Sequence, residues 1–265
     1  MIIRNKTLIT ALSLILISCS AKNNKLDIET VTENQLYSEG IKKTKAANYH
    51  DAIKIFTKFE EKYPTSIHYA DILVLKAYSF YSEDKHTDAI LTIDDFLQQF
   101  PVHKDVDYMH YLKSMSNYKQ IMDIGRDQSF AMLAKEGFET LINLYPHSKY
   151  ASDAKRKLEY INNMLAGKEM DIGRFYLRTN KHVFSINRFK NVIENYQTNI
   201  FIPEALYRLT EVYFILGVKE EAEKYVSVLA HNYPKSIWYN KAYNLLIHND
   251  ENKKSSSSKQ TSQPS

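Results

Sequence analysis

Ala52-Ile53-Lys54-Ile55-Phe56-Thr57-Lys58-Phe59-Glu60-Glu61-Lys62-Tyr63-Pro64 carries the signal from which the architecture can be worked out. Ala52 and Phe56 stand four residues apart, so they share one face of a helix. A small residue there lets a partner helix approach closely, and the aromatic packs against that partner. The run ends on an aromatic followed by proline, which lacks an amide donor and disfavours helical geometry in the residue before it. Tyr63-Pro64 therefore reads as a helix stop.

The pattern returns along the chain. Phe100-Pro101, Tyr145-Pro146 and Tyr233-Pro234 repeat the stop, and Tyr196-Gln197 occupies the same slot with glutamine for proline. Twelve residues before each second member stands a small residue: Ala52, Ala89, Ala134, Ser185 and Ala222. Eight before it stands an apolar one: Phe56, Ile93, Phe138, Phe189 and Val226. Gly40, Ala77, Gly173 and Thr210 each precede the small residue by twelve more and mark first helices. The proline slots are 37, 45, 51 and 37 residues apart, and the short spacing approaches the tetratricopeptide period of about 34. The spacing predicts an all-α chain, an α-solenoid of about five tetratricopeptide-like helix hairpins: Gln35–Pro64, Tyr69–Pro101, Asp105–Pro146, Lys168–Gln197 and Pro203–Pro234. Repeat three holds an extra segment, Met122–Phe130. An additional helix, about Tyr150–Ala166, precedes repeat four, and Ile237–Ile247 reads as a helix capping the last open face.

Composition agrees. The chain of 265 residues has 44% hydrophobic and 25% charged residues, which are globular values, and only 6 glycines and 6 prolines. That scarcity excludes collagen-like, turn-rich all-β and low-complexity classes for the bulk of the chain. A formal net charge of +4 is too small to argue for nucleic acid, and a lone cysteine, Cys19, excludes a disulfide framework.

The N-terminus reads as an export signal. Arg4 and Lys6 precede an apolar stretch, Leu8–Ile17, which is too short to span a membrane. Leu16-Ile17-Ser18-Cys19 resembles the bacterial lipobox, which implies acylation of Cys19 and cleavage before it. Several acyl chains anchor stably where one does not. Ser20 is not the aspartate of inner-membrane retention, so the resemblance implies the outer membrane, with the chain facing the periplasm. The expected divisions are a lipoprotein signal peptide over 1–18, a tether over 19–34, the solenoid over 35–248 and a disordered Ser/Lys-rich tail over 249–265.

A lipobox followed by such repeats resembles the BamD family, the lipoprotein subunit of the outer-membrane β-barrel assembly machinery. The resemblance covers nearly all of Gln35–Ile247. It is carried by Ala52-Ile53 with Tyr63-Pro64, by Asp107-Tyr108 with Tyr111, by Arg126-Asp127 and by Asn187-Arg188. The chain departs at Gln197, which weakens one helix stop, and in a shorter insert before Phe130. The resemblance implies a non-enzymatic scaffold. Its later repeats would bind a POTRA domain of the barrel-forming subunit BamA. Its earlier repeats would offer a groove to other assembly lipoproteins or to unfolded outer-membrane proteins.

No nucleotide, hydrolase or metalloprotease motif occurs in the sequence, and no cofactor is expected. His103 and His110 can share a helix face but lack companions for a metal site, and Glu60-Glu61 and Asp94-Asp95 read as exposed faces. The candidates are contact residues. Tyr37, Ile41, Val74, Tyr78 and Tyr81 occupy first-helix positions that line the groove of tetratricopeptide proteins, where amphipathic aromatics suit peptide capture; packing between repeats is the competing role. Tyr108 and Tyr111 open repeat three in the same way. Arg188 is either an interface arginine or half of an internal salt bridge. The rival to an assembly scaffold is a periplasmic tetratricopeptide lipoprotein that positions cell-wall or secretion enzymes. Replacing Cys19 by alanine is expected to move the protein from the membrane to the soluble fraction on cell fractionation; unchanged membrane association would overturn the lipobox reading.

Overall fold

The computed structural model describes residues 31–122 and 127–247. Cys19, the expected signal peptide, Arg126 and the Ser/Lys-rich tail lie outside them. The helices are α1 (Glu33–Lys45), α2 (Tyr49–Lys62), α3 (Tyr69–Ser82), α4 (His86–Gln99), α5 (Val106–Lys119), α6 (Ser129–Leu144), α7 (Ala151–Arg178), α8 (His182–Asn195), α9 (Ile202–Ile215) and α10 (Lys219–Asn232). Residues 237–247 are also helical, and no strand occurs among the described residues. Each helix packs on the next in the chain. In addition α1 meets α3 and α3 meets α5, an approach that second helices do not match. Repeats one to three therefore curve with their first helices inside.

Contact of a small residue with a large one sets the spacing within each hairpin. A Cβ added to Gly40 would lie 2.3 Å from Phe56 Cε1, and one added to Gly173 would lie 2.5 Å from Phe189 Cε1. Both phenyl rings are fully buried. In repeat three the corresponding first-helix residue is Ser114, and the glycine has moved to the second helix: a Cβ on Gly137 would lie 2.4 Å from Ser114 Oγ. Buried Ser114 turns its hydroxyl back to the carbonyl of His110, so no donor is orphaned.

Two kinds of joint alternate along the chain. Inside a repeat, one residue in the left-handed region ends the first helix: Ala47, Asp84, Asn180 or Gly217. The next amide then reaches back five residues, Asn48 to Lys43, Lys85 to Phe80, Lys181 to Tyr176 and Val218 to Tyr213. This is a Schellman closure. Between repeats, Tyr63, Phe100, Tyr145, Tyr196 and Tyr233 each donate an amide hydrogen to the carbonyl four residues back. Each also accepts one from the residue three ahead: Ser66, His103, Ser148, Asn199 or Ser236. The side chains of those five residues brace the entry to the next helix, accepting from the amides of His68, Asp105, Tyr150, Phe201 and Trp238. Three tie back to an earlier helix: Ser66 donates to Glu33, Ser148 Oγ donates to Asp107 at 2.6 Å, and Asn199 donates to Asn163 at 2.7 Å.

The expected weak stop at Gln197 is not weak. Tyr196 adopts φ −135°, ψ 52°, beside φ −132°, ψ 53° at Tyr63, whose neighbour is proline. Asn199 makes the same turn bonds here that Ser66 makes beyond Tyr63-Pro64, so the turn keeps its form without proline. A larger departure concerns repeat four. The additional helix and the first helix of that repeat are one helix, α7, of 28 residues. Gly167 lies inside it, and an internal glycine costs about 1 kcal/mol without supplying a stop. The first half of α7 packs Ala154, Ile161 and Leu165 on Phe138 and Leu141; the second half packs Ala166 and Met170 beside Phe189. Tyr145 and Tyr196 seal the seams between successive core clusters. At the N-terminus α1 starts at Glu33, inside the expected tether, and Val31 is already buried beside Leu36, with its carbonyl accepting from the Tyr63 hydroxyl. The insert of repeat three ends earlier than expected, because α6 begins at Ser129. The terminal helical segment buries Ala242 and packs Trp238, Tyr239 and Leu246 on the last repeat.

These contacts set two expectations for thermal or urea unfolding. Gly173→Ala destabilises by about 1–3 kcal/mol through overpacking against Phe189, although alanine is the better helix former. Ala47→Gly stabilises by up to about 1 kcal/mol, because Ala47 sits at φ 55° where an L side chain is strained.

Candidate partner-binding surface

The inner line of first helices carries a run of half-buried aromatic and aliphatic side chains. Tyr37 and Ile41 stand on α1, Val74, Tyr78 and Tyr81 on α3, and Tyr108 and Tyr111 on α5, all half-buried. The structure thus brings Val74, Tyr78, Tyr81 and Tyr108 onto one core cluster, with Tyr37 and Tyr111 on the clusters before and after it. The fold uses the inner faces of these rings and leaves part of each to solvent.

Ring contacts fix their orientation. Tyr37 stacks on His68 with centroids 4.2 Å apart, and Tyr78 meets Tyr49 edge-on at 5.8 Å. Tyr150, on the turn before α7, receives Tyr111 in a stack at 4.8 Å and Tyr108 at 5.3 Å. The Tyr111 hydroxyl donates to Asp153 Oδ2 at 2.6 Å. Burial pushes the Tyr108 hydroxyl well above its ordinary pKa. Burial and the bond to Asp153 do the same to Tyr111. Burial opposes ionisation of Asp153, but bonds from Tyr111, Arg156 and Lys157 override it and hold that carboxyl below the usual range. At neutral pH the hydroxyls of Tyr108 and Tyr111 therefore stay neutral, on rings that lose little entropy when covered.

Arg188, on α8, is brought to Glu169 on α7: Nη1 donates to both carboxylate oxygens at 3.1 Å. Glu169 is buried, while 40% of the Arg188 side chain stays exposed. Both contacts use one terminal nitrogen, so the pairing inside the chain leaves the rest of the guanidinium fork at the surface. Arg188 lies apart from the tyrosine array, in repeat four. A second such pair, which sequence reasoning missed, joins repeats four and five. Arg174 Nη1 donates to the two oxygens of buried Glu204 at 2.9 and 3.0 Å, and Arg208 reaches the same carboxylate at 3.4 Å. Arg208 also lies over the rings of Tyr207 and Trp238, at 5.3 and 5.7 Å. The residues that brace the turns were missed as well, although their signal stood in the sequence: Ser66, His103, Ser148, Asn199 and Ser236 all follow the turn aromatic by three.

His103 lies near Asp71 and Asp105, the one such cluster among the described residues. Its Nδ1 accepts from the Asp105 amide, and Lys104 sits 3.5 Å from Asp71, so the group serves the turn. Among the described residues no helix is long and apolar enough to cross a membrane.

A family model described as outer membrane lipoprotein (YfiO) matches residues 29–229. Outer membrane protein assembly factor BamD of Rickettsia prowazekii is 40% identical over 235 residues, 89% of this chain and 93% of the relative. The factor of the same name from Caulobacter vibrioides is 36% identical over 229 residues, 86% of this chain and 75% of the relative. That of Neisseria meningitidis serogroup A is 28% identical over 253 residues, 90% of this chain and 95% of the relative. Among solved structures, a thermophilic TPR protein of Thermus thermophilus is 15% identical with a TM-score of 0.36, covering 82% of this chain and 100% of that one. A family match over most of the repeats, together with relatives aligned along most of their length, leads to one conclusion: this chain belongs to the YfiO outer-membrane lipoprotein family, whose curated members include the assembly factor BamD.

Proposed function

We propose that this chain is a non-enzymatic scaffold of the outer-membrane protein assembly machinery. It hangs by lipid at Cys19 from the periplasmic face of the outer membrane. It holds a BamA-type barrel protein by a POTRA domain, neighbouring assembly lipoproteins, and unfolded outer-membrane proteins on their way to insertion. Family membership supports the role in assembly. The single observation that carries the binding reading is the array Tyr78, Tyr81, Tyr108 and Tyr111, with Tyr37 at its N-terminal end. A rigid aromatic surface with hydrogen-bonding tips suits extended polypeptide of varied sequence, because it needs no matched charge. Arg188, paired but still exposed, suits a folded acidic partner on the later repeats.

Affinity capture from detergent-solubilised envelopes tests this reading. The expected companion is a large β-barrel protein with POTRA domains; recovery of cell-wall enzymes alone overturns the reading in favour of the adaptor. Arg188→Glu is expected to lower stability by about 2 kcal/mol, since it sets a carboxylate beside buried Glu169. The exchange Glu169→Arg with Arg188→Glu restores the pair and the melting temperature. If Arg188 touches the partner, capture stays weak in both variants; capture that returns with the melting temperature assigns Arg188 to the fold alone.

A further inference from the structure

The turns between repeats carry exposed aliphatic side chains that the fold does not use. Among the described residues the two most exposed large hydrophobic side chains are Val102 at 96% and Ile67 at 90%. Both stand on the edge where second helices end and first helices begin. Ile67 occupies the fourth position after the turn aromatic, a slot filled in successive repeats by Ile67, Lys104, Lys149, Ile200 and Ile237. Ile200 and Ile237 are 71% and 62% exposed. Only isoleucine and lysine occur there. Scattered apolar side chains on a surface need no explanation, but recurrence of one slot along one edge does.

Most acidic groups of this edge are engaged by neighbours. In the first turns of the adjoining helices Glu33 is bonded by Ser66, Asp107 by Ser148, Asp153 by Tyr111 and Glu204 by Arg174, and the part-exposed Asp71 and Asp105 lie beside Lys104 and His103. Lysines of the turns point outward; Lys104, although 3.5 Å from Asp71, keeps 71% of its side chain exposed. An outward face of aliphatic side chains and lysines fits a phospholipid surface that contains anionic headgroups.

The chain also enters on this edge. Val31 is buried, and the Tyr63 hydroxyl pins its carbonyl to the first turn. Cys19 is twelve residues upstream, a reach of about 40 Å at full extension. A surface tethered that closely to a bilayer meets it as an intramolecular partner, so weak contacts become populated. The opposite edge has its own exposed apolar residues, Met122 in repeat three and Phe175, Val183, Phe184 and Ile215 in repeats four and five, but none among the described residues of repeats one and two, next to the entry point.

We propose that the turns of repeats one and two, centred on Ile67 and Val102, rest on the phospholipid surface that carries the anchor. The solenoid would then stand edge-on to the membrane near its N-terminus. The proposal rests on the reading of Cys19 as the anchor point, and its test supplies the tether chemically so that the two are separable. The mature chain has one thiol, Cys19, which can be coupled to a maleimide phospholipid in vesicles of phosphatidylethanolamine and phosphatidylglycerol. Its one tryptophan, Trp238, is changed to phenylalanine, and a tryptophan is introduced as Ile67→Trp, Val102→Trp or, as a control, Val183→Trp. Should Trp238→Phe unfold the last repeat, the same sites are read by difference with Trp238 retained. In vesicles bearing a nitroxide lipid labelled near the headgroup, emission is expected to fall at least twofold at positions 67 and 102 and to stay unchanged at 183. No fall at 67 and 102, or a fall at 183 alone, overturns the proposal, whether or not the cell acylates Cys19.

Discussion

Close approach of two helices over a residue with little or no side chain governs how everything else in this structure is arranged. Phe56 and Phe189 lie where a methyl group on Gly40 or Gly173 would stand. That contact brings the hairpin axes together, buries both rings fully, and positions the same helices for the next repeat. Where glycine is absent from the first helix, its work is divided: Ser114 faces Gly137 in repeat three, with its hydroxyl returned to its own helix. The size of the contact is kept from repeat to repeat while the identity of the residues changes, as close packing demands.

The joints turn these hairpins into a curved object. A left-handed residue closes the turns within repeats one, two, four and five, and an aromatic turn braced by a side chain closes each turn between repeats. Ser66, Ser148 and Asn199 also grip an earlier helix, so they fix the angle between repeats as well as shaping the turn. With that angle set, the first helices of repeats one to three lie inside, and their half-buried tyrosines share an inner surface. The binding reading follows from this placement: the rings are rigid because the core holds one side of each, and available because the curve leaves the other side open.

Much of the proposed binding surface is built by groups that also stabilise the fold. Tyr111 ties α5 to Asp153 of α7, and Arg188 ties α8 to Glu169 of the same helix. A scaffold that moves no electrons and breaks no bonds can combine these roles, since it needs shape and surface chemistry, without a strained or ionised centre. The long α7 serves the same end. It belongs to the core of repeat three at one end and to that of repeat four at the other, so one continuous helix joins the early repeats to the late ones.

Local sequence was enough for the all-helical class, the five registered hairpins, the stops at Tyr63, Phe100, Tyr145 and Tyr233, and the small and large positions at Gly40 and Phe56 and at Gly173 and Phe189. These rest on rules of spacing and on proline's missing donor, and they need no knowledge of neighbours. The candidate tyrosines were legible as first-helix positions for the same reason. Other features came from packing in three dimensions. It joined the additional helix to repeat four, because Gly167 lowers helix propensity without stopping a helix that is buried along both of its halves. It ended a helix at Tyr196 without proline, in a turn that Asn199 ties to Asn163 of α7. It drew Val31 into the core, and it paired Arg188 with a carboxylate nineteen residues away. Each of these outcomes depends on which groups meet across helices, and no window of sequence contains that information.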